Sequence, residues 1–364
     1  MPIREESFRI GCGRYLQGEG MLSRLGEEVL RLGSAPLVVG GENGLSVARE
    51  AIEDSLLPAC PRYEIVTYTG TCNEERAKEI ATLARERGYD VIVGVGGGIL
   101  MDFAKLCGYF AELPVLNVPT SSATCAAYTP LSVRYTVEGN TVGSRHYPYE
   151  VSGVLVDTAV IATQPVRLLL SGVFDALAKF VEIKHRYRGD IDADYPIGLD
   201  YAYALAQYSY RFLSEKTQTV IEDLKKGCIK KDVENLIFTT ICATGVVSGI
   251  ARGSNQSALA HKFYEFTRFF YPQDSRPYLH GEIVGIGLLM QNHFNGETEE
   301  NASLLRWMET YGMPRTITDI GIDPSAEQFE KYYERLVGCS SIHADDPAEC
   351  ARLRSSMEYL WTLR

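Results

Sequence analysis

One aspartate and two histidines stand in apolar surroundings where they could do chemistry. Asp175 lies in the string Gly172-Val173-Phe174-Asp175-Ala176-Leu177-Ala178-Lys179. His261 lies in the helical pattern that runs from Ser257, and His280 directly precedes Gly281, Glu282 and the apolar segment 283–290. A carboxylate and two imidazoles make a three-donor site with an open fourth position for a divalent ion such as Zn²⁺ or Fe²⁺. Each residue also has a structural reading. An acid early in a helix complements the helix dipole, and a histidine on an apolar helix is often a packed core residue. The wide separation of the three in sequence leaves both readings open. His146, His185, His293 and His343 lack comparable surroundings.

A second set is built for an anion. Gly94, Gly96, Gly97 and Gly98 follow an apolar run and precede a helix that carries Asp102 and Lys105. Glycines let the backbone approach a phosphate, and free N–H groups at a helix start favour negative charge. The same cluster serves equally as a tight strand-to-helix turn. The spacing is not GxGxxG, and no Walker lysine follows. Beyond it, Thr120, Ser121, Ser122, Thr124 and Thr129 form a loop of small hydroxyl residues. Such a loop after a parallel strand borders a ligand crevice, or is simply solvated.

The elements that must position these residues change character along the chain. Short apolar runs at 35–41, 63–68, 89–96, 114–119 and 152–157 read as strands. Helical spacing separates them at 44–57, 73–87 and 101–110, with Asn73 as an N-cap. Repeated βα units predict a parallel sheet, and near-continuous apolar strands predict a sheet covered on both faces. Residues 132–144 read as a hairpin turning at Glu138, Gly139 and Asn140. From Pro165 onward the pattern is helical: 166–186, 198–214, 220–226, 231–247, 257–270 and 282–292. The expected fold is therefore α/β, with an N-terminal domain over 1–163 and a helical domain over 164–364.

Composition narrows the class. The 364 residues carry 36 basic and 47 acidic side chains, a net charge of −11. That balance disfavours nucleic acid and anionic membrane as partners. No apolar run is read as approaching the roughly 18–20 residues that span a bilayer, and no secretory leader is evident at the start. Nine scattered cysteines without a CxxC pair suggest reduced thiols. The expected location is cytoplasmic.

Taken together, these strings resemble the glycerol dehydrogenase and hydroxycarboxylate dehydrogenase branch of the iron-containing alcohol dehydrogenase superfamily. That superfamily shares its fold with dehydroquinate synthase. The matching residues are Gly96, Gly97, Gly98, Asp102 and Lys105; Pro119, Thr120 and Thr124; Leu131, Ser132, Val133 and Tyr135; Gly172 and Asp175 through Lys179; His261; and His280, Gly281 and Glu282. The resemblance implies a Rossmann-like dinucleotide-binding domain, an all-helical domain and a site in the cleft between them. It implies metal ligands at Asp175, His261 and His280, which also act in catalysis through the metal. Cofactor contacts to NAD or NADP are implied at Gly97, Gly98, Asp102, Thr120, Thr129, Leu131 and Tyr135. It further implies a small hydroxy or oxo substrate and a homo-oligomer.

The chain departs from that branch at several positions. Gly41, followed by Glu42, stands where many relatives end their first strand in an acid that prefers NAD. Ile99 replaces a common lysine. Cys125 replaces an aspartate that contacts glycerol, so the expected substrate-binding residue is a thiol. This favours a 2-hydroxy acid and its 2-oxo partner over glycerol, with Arg134 and Arg145 read equally as candidates for the carboxylate and as solvated hairpin charges. Glycerol oxidation to dihydroxyacetone is the alternative. A dehydroquinate-synthase-like cyclase would lean on a glutamate ligand, whereas this chain has Asp175. A nucleotide-binding protein without catalysis would not need all three metal donors.

Overall fold

Side chains along the N-terminal strands alternate between two apolar layers, and this alternation determines the sheet. In β2 (Pro36–Gly40), Val38 joins one buried cluster while Leu37 and Val39 join the other. In β4 (Val91–Gly96), Val91, Val93 and Val95 face the first layer and Ile92 the second. A period of two with both faces apolar is what a doubly covered parallel strand requires. The computed structural model describes residues 9–189, 195–251 and 253–364.

The order of elements is β1 (Tyr15–Gly18), α1 (Leu25–Leu30), β2, α2 (Glu42–Ala59), β3 (Glu64–Thr67), α3 (Glu74–Glu86), β4, α4 (Gly98–Ala111) and β5 (Val115–Pro119). The hairpin of β6 (Leu131–Tyr135) and β7 (Thr141–His146) follows, then β8 (Gly153–Asp157) and α5 (Thr158–Ala162). The six-stranded sheet has the order β1-β8-β5-β4-β2-β3, and every pairing is parallel. The chain runs outward from β2 to β3, then resumes at β4 on the other side of β2. Strand order therefore reverses between β2 and β4, where open α/β sheets bind ligands beyond the strands' carboxyl ends. β1 has no counterpart in the sequence reading: its four residues are all half-buried and show no alternation.

Contacts divide the described chain into two units. Arg9–Leu169 with Ser214–Val246 form one, and Leu170–Leu213 with Val247–Arg364 the other. The division at Leu169 lies just beyond residue 163, where the sequence suggested it. Residues 214–246, expected with the helical part, make their contacts within the sheet unit.

The remaining elements are helical. They are α6 (Val166–Ile183), α7 (Ile197–Lys225), α8 (Lys231–Phe238), α9 (Thr244–Ala251), α10 (Leu259–Phe270), α11 (His280–Asn295), α12 (Glu299–Thr310), α13 (Ala326–Val337) and α14 (Pro347–Thr362). Helix α7 is continuous where two segments were expected. A π turn over Thr239–Ala243 joins α8 to α9. The joined stretch Lys231–Ala251 is long and apolar enough to cross a bilayer by length and composition, contrary to the sequence reading. The threonines obscure it in sequence. The hydroxyls of Thr239, Thr240 and Thr244 donate to carbonyls of their own helix, which removes their demand for water. The segment is mostly buried within the protein, as a core helix would be.

His185, in the turn after α6, ties three helical segments together. Its ring stacks on Phe294 of α11 at 4.6 Å. In the tautomer that satisfies both contacts, Nε2 donates to the Ser341 carbonyl at 2.6 Å and Nδ1 accepts from Gln291 Nε2 at 3.0 Å. The Gln291 Oε1 accepts the Leu259 N–H at 2.8 Å, which fixes the amide's orientation. The neutral imidazole is thus fully bonded, and burial pushes its pKa down to about 4 from 6.5. Below about pH 6.5 the unfolded chain takes up a proton that the folded chain refuses until about pH 4. Stability is therefore expected to fall as pH falls through this window, by up to ~3 kcal/mol from this group. Urea midpoints at pH 7 and pH 4.5 for the wild type and His185→Gln check it. An equally large acid loss in the variant would contradict the assignment.

Candidate metal centre and dinucleotide loop

Helix α6 carries three ionisable residues on one buried face. Asp175, Lys179 and Glu182 are spaced i, i+4 and i+7, and so fall on one side of a helix of otherwise apolar character. Asp175 sits mid-helix, not near the start as the sequence suggested, so dipole complementation does not account for it. All three are buried.

Two helices bring the imidazoles to this face. Helix α11 begins at His280, and its second residue is a glycine for a steric reason. A Cβ on Gly281 would stand 1.9 Å from the Ser171 carbonyl oxygen of α6. The Gly281 N–H is instead bonded to Ser171 Oγ at 3.0 Å. Further along, a Cβ on Gly287 would lie 2.7 Å from the Ala260 carbonyl oxygen, so α10 and α11 pack backbone to backbone. His261 and His280 consequently meet, with ring centroids 5.4 Å apart. Tyr264 stands edge-on to His280 at 4.2 Å.

Both imidazole Nε2 atoms face one carboxylate oxygen. Asp175 Oδ1 is 3.2 Å from His261 Nε2 and 3.4 Å from His280 Nε2. One donor atom from each residue lies within 4.8 Å of the other two. Tetrahedral ligands with bonds of about 2.1 Å sit about 3.4 Å apart. The donor set and its spacing therefore fit a divalent ion.

Glu182, which sequence reasoning missed, orders this site. Its Oε1 accepts the backbone N–H groups of Ala258 at 2.6 Å and His261 at 2.9 Å, satisfying the start of α10. Its Oε2 is bonded to His261 Nδ1. A carboxylate on Nδ1 holds the tautomer that presents the Nε2 lone pair, the usual arrangement behind a ligating histidine. The signal was available: Glu182 lies two turns beyond Asp175 on the same apolar helix.

Electrostatics here are a contest between burial and pairing. Burial alone would raise the Asp175 carboxyl. Lys179 and His280 overcome this and hold it well below the usual carboxylate range. Glu182 is likewise lowered, because His261 outweighs its burial. Burial lowers His280 below the ordinary imidazole value despite the attraction of Asp175. An ionised Asp175 and a neutral His280 are the forms that bind metal.

In the sheet unit, Gly96 has φ +150°, a backbone conformation that side chains disfavour. Gly97 is the N-cap of α4 and Gly41 that of α2, and neither cap has a side-chain hydrogen bond. Two helix starts with available N–H groups thus stand at the switch point between β2 and β4. Gly98 opens α4, and Thr120 follows β5 with its N–H on the Gly96 carbonyl at 3.0 Å. Leu131 and Tyr135 begin and end β6.

Asp102 is buried within the unit. It pairs with Lys105 at 2.8 Å and accepts the Val133 N–H at 3.0 Å. Lys105 donates to the carbonyls of Ala126 at 2.7 Å, Thr129 at 2.9 Å and Leu131. These contacts fix the loop that holds Cys125 and Thr129. Arg134 and Arg145 differ from expectation, since both guanidinium groups bond Glu74 Oε1, at 2.6 and 2.7 Å. They are spent on a carboxylate of the chain itself.

If Glu182 fixes His261 as described, Glu182→Gln should weaken Zn²⁺ binding by about 10–100-fold. Titration against a chromophoric chelator measures this. Unchanged affinity would reduce Glu182 to a helix cap.

Known proteins resemble this chain in sequence and in fold. Residues 12–158 match the iron-containing alcohol dehydrogenase family model. The chain is 31% identical to the glycerol dehydrogenase of Pseudomonas putida over 85% of its own length and 84% of the relative's. It is 29% identical to hydroxycarboxylate dehydrogenase A of Escherichia coli K12 over 75% of each. The solved structure of glycerol dehydrogenase from Schizosaccharomyces pombe has the same fold, with a TM-score of 0.80 at 22% identity over 98% of this chain and 91% of that one. The sequence similarity, the parallel sheet followed by helices and the three-donor cluster lead to one conclusion: the chain belongs to the iron-containing alcohol dehydrogenase family and is an oxidoreductase of the alcohol dehydrogenase type.

Proposed function

We propose that the protein is a metal-dependent NAD(P) oxidoreductase that interconverts a small 2-hydroxy acid and its 2-oxo acid. The observation that carries the metal-dependent chemistry is the meeting of Asp175, His261 and His280 on one carboxylate oxygen. Asp175, His261 and His280 hold the ion. When bound, the ion supplies positive charge that polarises a carbonyl, and the reduced dinucleotide supplies the hydride. In that direction the carbonyl carbon gains the hydride and its oxygen gains a proton.

The backbone of Gly97 and Gly98 takes the pyrophosphate, Thr120 and Thr129 offer hydroxyls, and Leu131 and Tyr135 flank the nicotinamide. Asp102 contributes by bracing β6 through Val133 and Lys105. NAD is favoured over NADP. A hollow of about 440 Å³ beside the start of α2 is lined by Glu42, Glu50 and Glu53 with a single arginine, Arg49. That arginine is paired with Glu53 at 3.0 Å. A 2′-phosphate there would meet net negative charge.

The acid substrate rests on Cys125. The segment from Thr120 to Tyr135 contains no carboxylate, and a thiol is a weak partner for polyol hydroxyls. Loss of a charged acceptor costs a polyol roughly 1.5–3 kcal/mol. It also removes a negative charge that would repel an acid. The engagement of Arg134 and Arg145 by Glu74 takes away the cations once considered for the carboxylate. Glycerol oxidation is the second reading, favoured by the names of relatives such as the glycerol dehydrogenase of P. putida.

Two measurements test this. Gly97→Val places a branched side chain at the α4 start and is expected to abolish measurable dinucleotide binding by calorimetry while the fold survives. Binding at wild-type strength would remove the pyrophosphate from Gly97. Separately, kcat/KM is compared for 2-oxobutanoate with NADH and for glycerol with NAD. The wild type should prefer the oxo acid, and Cys125→Asp should shift preference toward glycerol by about 10–100-fold. Efficient glycerol turnover by the wild type, with no activity on any 2-oxo acid, would establish the second reading.

A further inference from the structure

Lys179 is the one residue of the α6 polar face whose presence the metal site does not explain. It is buried, one helical turn from Asp175. Its Nζ stands 3.3 Å from His261 Nε2 and 3.8 Å from Asp175 Oδ1. Those are two of the three donor atoms, and the distances are those between neighbouring ligands of one ion. The ammonium thus stands beside the donors, where a neighbouring ligand would, and gives two of them the positive partner that an ion would otherwise supply. Its proton donation to His261 Nε2 uses the lone pair that Glu182 exposes on the far side of the ring.

We propose that Lys179 is a built-in competitor of the divalent ion: its ammonium stands in for the ion in the metal-free protein and weakens metal binding at Asp175, His261 and His280. This rests on the metal reading above and adds a determinant of affinity to it. Two physical effects act in the same direction. The ion must displace the ammonium from the Asp175 carboxylate and from His261. Once bound, it must also tolerate a positive charge a few ångströms away in a buried setting, where such repulsion is weakly screened. Conversely, the ammonium stabilises the metal-free protein. Without it, the buried Asp175 carboxylate would lose the cation that stands 3.8 Å from its Oδ1.

The inference predicts effects of opposite sign from one substitution. Lys179→Met keeps most of the length of the side chain and removes the ammonium and its charge. Chelator-treated Lys179→Met should melt lower than chelator-treated wild type, yet bind Zn²⁺ at least about tenfold tighter, measured with a chromophoric chelator. Lys179→Arg, which keeps the charge, should bind Zn²⁺ no tighter than wild type. The double variant Lys179→Met with His280→Ala should lose the gain, which places it at this site. A residue with a structural role alone would lower the melting temperature without tightening the metal. If Lys179→Met does not fold, Lys179→Gln takes its place. Unchanged or weaker Zn²⁺ binding in a folded uncharged variant, with His280-dependent binding in the wild type, overturns the inference and leaves the metal reading standing. Absence of His280-dependent Zn²⁺ binding in every form overturns both.

Discussion

The interaction on which the helical unit depends is the burial of two carboxylates on one apolar helix. Taking an ionised carboxylate out of water costs several kcal/mol even after relaxation, and α6 does this twice, at Asp175 and Glu182. Each can exist there only if other elements bring positive or donating groups to it. Glu182 is answered by the start of α10 and by His261 Nδ1. Asp175 is answered by His280 and Lys179. The packing of α10 and α11 on α6 is thereby coupled to the electrostatics of the site. The glycines at 281 and 287 permit the approach, and the carboxylates require it.

The sheet unit solves a different problem, that of keeping backbone N–H groups available without leaving them buried and orphaned. At the switch point between β2 and β4, both following helices start with a glycine N-cap and without a capping side chain. Asn73 of α3 and Asp346 of α14, by contrast, close their helix starts with their own side chains. The glycine-capped pair coincides with the place where topology predicts a ligand. Steric need reinforces it: a Cβ on Gly44 would lie 2.8 Å from Gly96 Cα, so α2 and the glycine turn are pressed together.

Much of this was legible in the sequence because it rests on local pattern. Strands β2 to β5 and β8, the hairpin and the Asn73 cap all follow from alternation, turn residues and capping chemistry. What escaped depends on tertiary partners. Strand β1 is half-buried and too short to alternate, and it becomes a strand because β8 offers it an edge. Helix α7 reads as two segments because its middle, Glu215 to Gln218, is polar, yet a polar stretch propagates once both flanks are helical. The three metal donors were visible as residue types, but their meeting was not. It depends on close approaches at Gly281 and Gly287 that no spacing reveals. Glu182 was marked by its place two turns beyond Asp175 on an apolar helix, but its role was not, as its partners lie on α10, more than seventy residues away.

The two units share a device that serves opposite ends. In α4, Asp102 pairs with Lys105 one turn on; in α6, Asp175 pairs with Lys179 one turn on. Both lysines are buried, and both neutralise an aspartate on an apolar helix. They differ in what else accepts their protons. Lys105 is held by two backbone carbonyls of the loop that follows β5 and by that of Leu131, the first residue of β6. Nothing mobile can replace those acceptors, so its charge is part of the fabric that shapes the loop around Thr129. Lys179 is held by an imidazole nitrogen and a carboxylate oxygen, atoms that serve a divalent ion equally well. The acceptors, not the lysine, decide the outcome. Carbonyls fixed in the chain make an ammonium permanent, whereas ligand atoms make it exchangeable for a cation of higher charge.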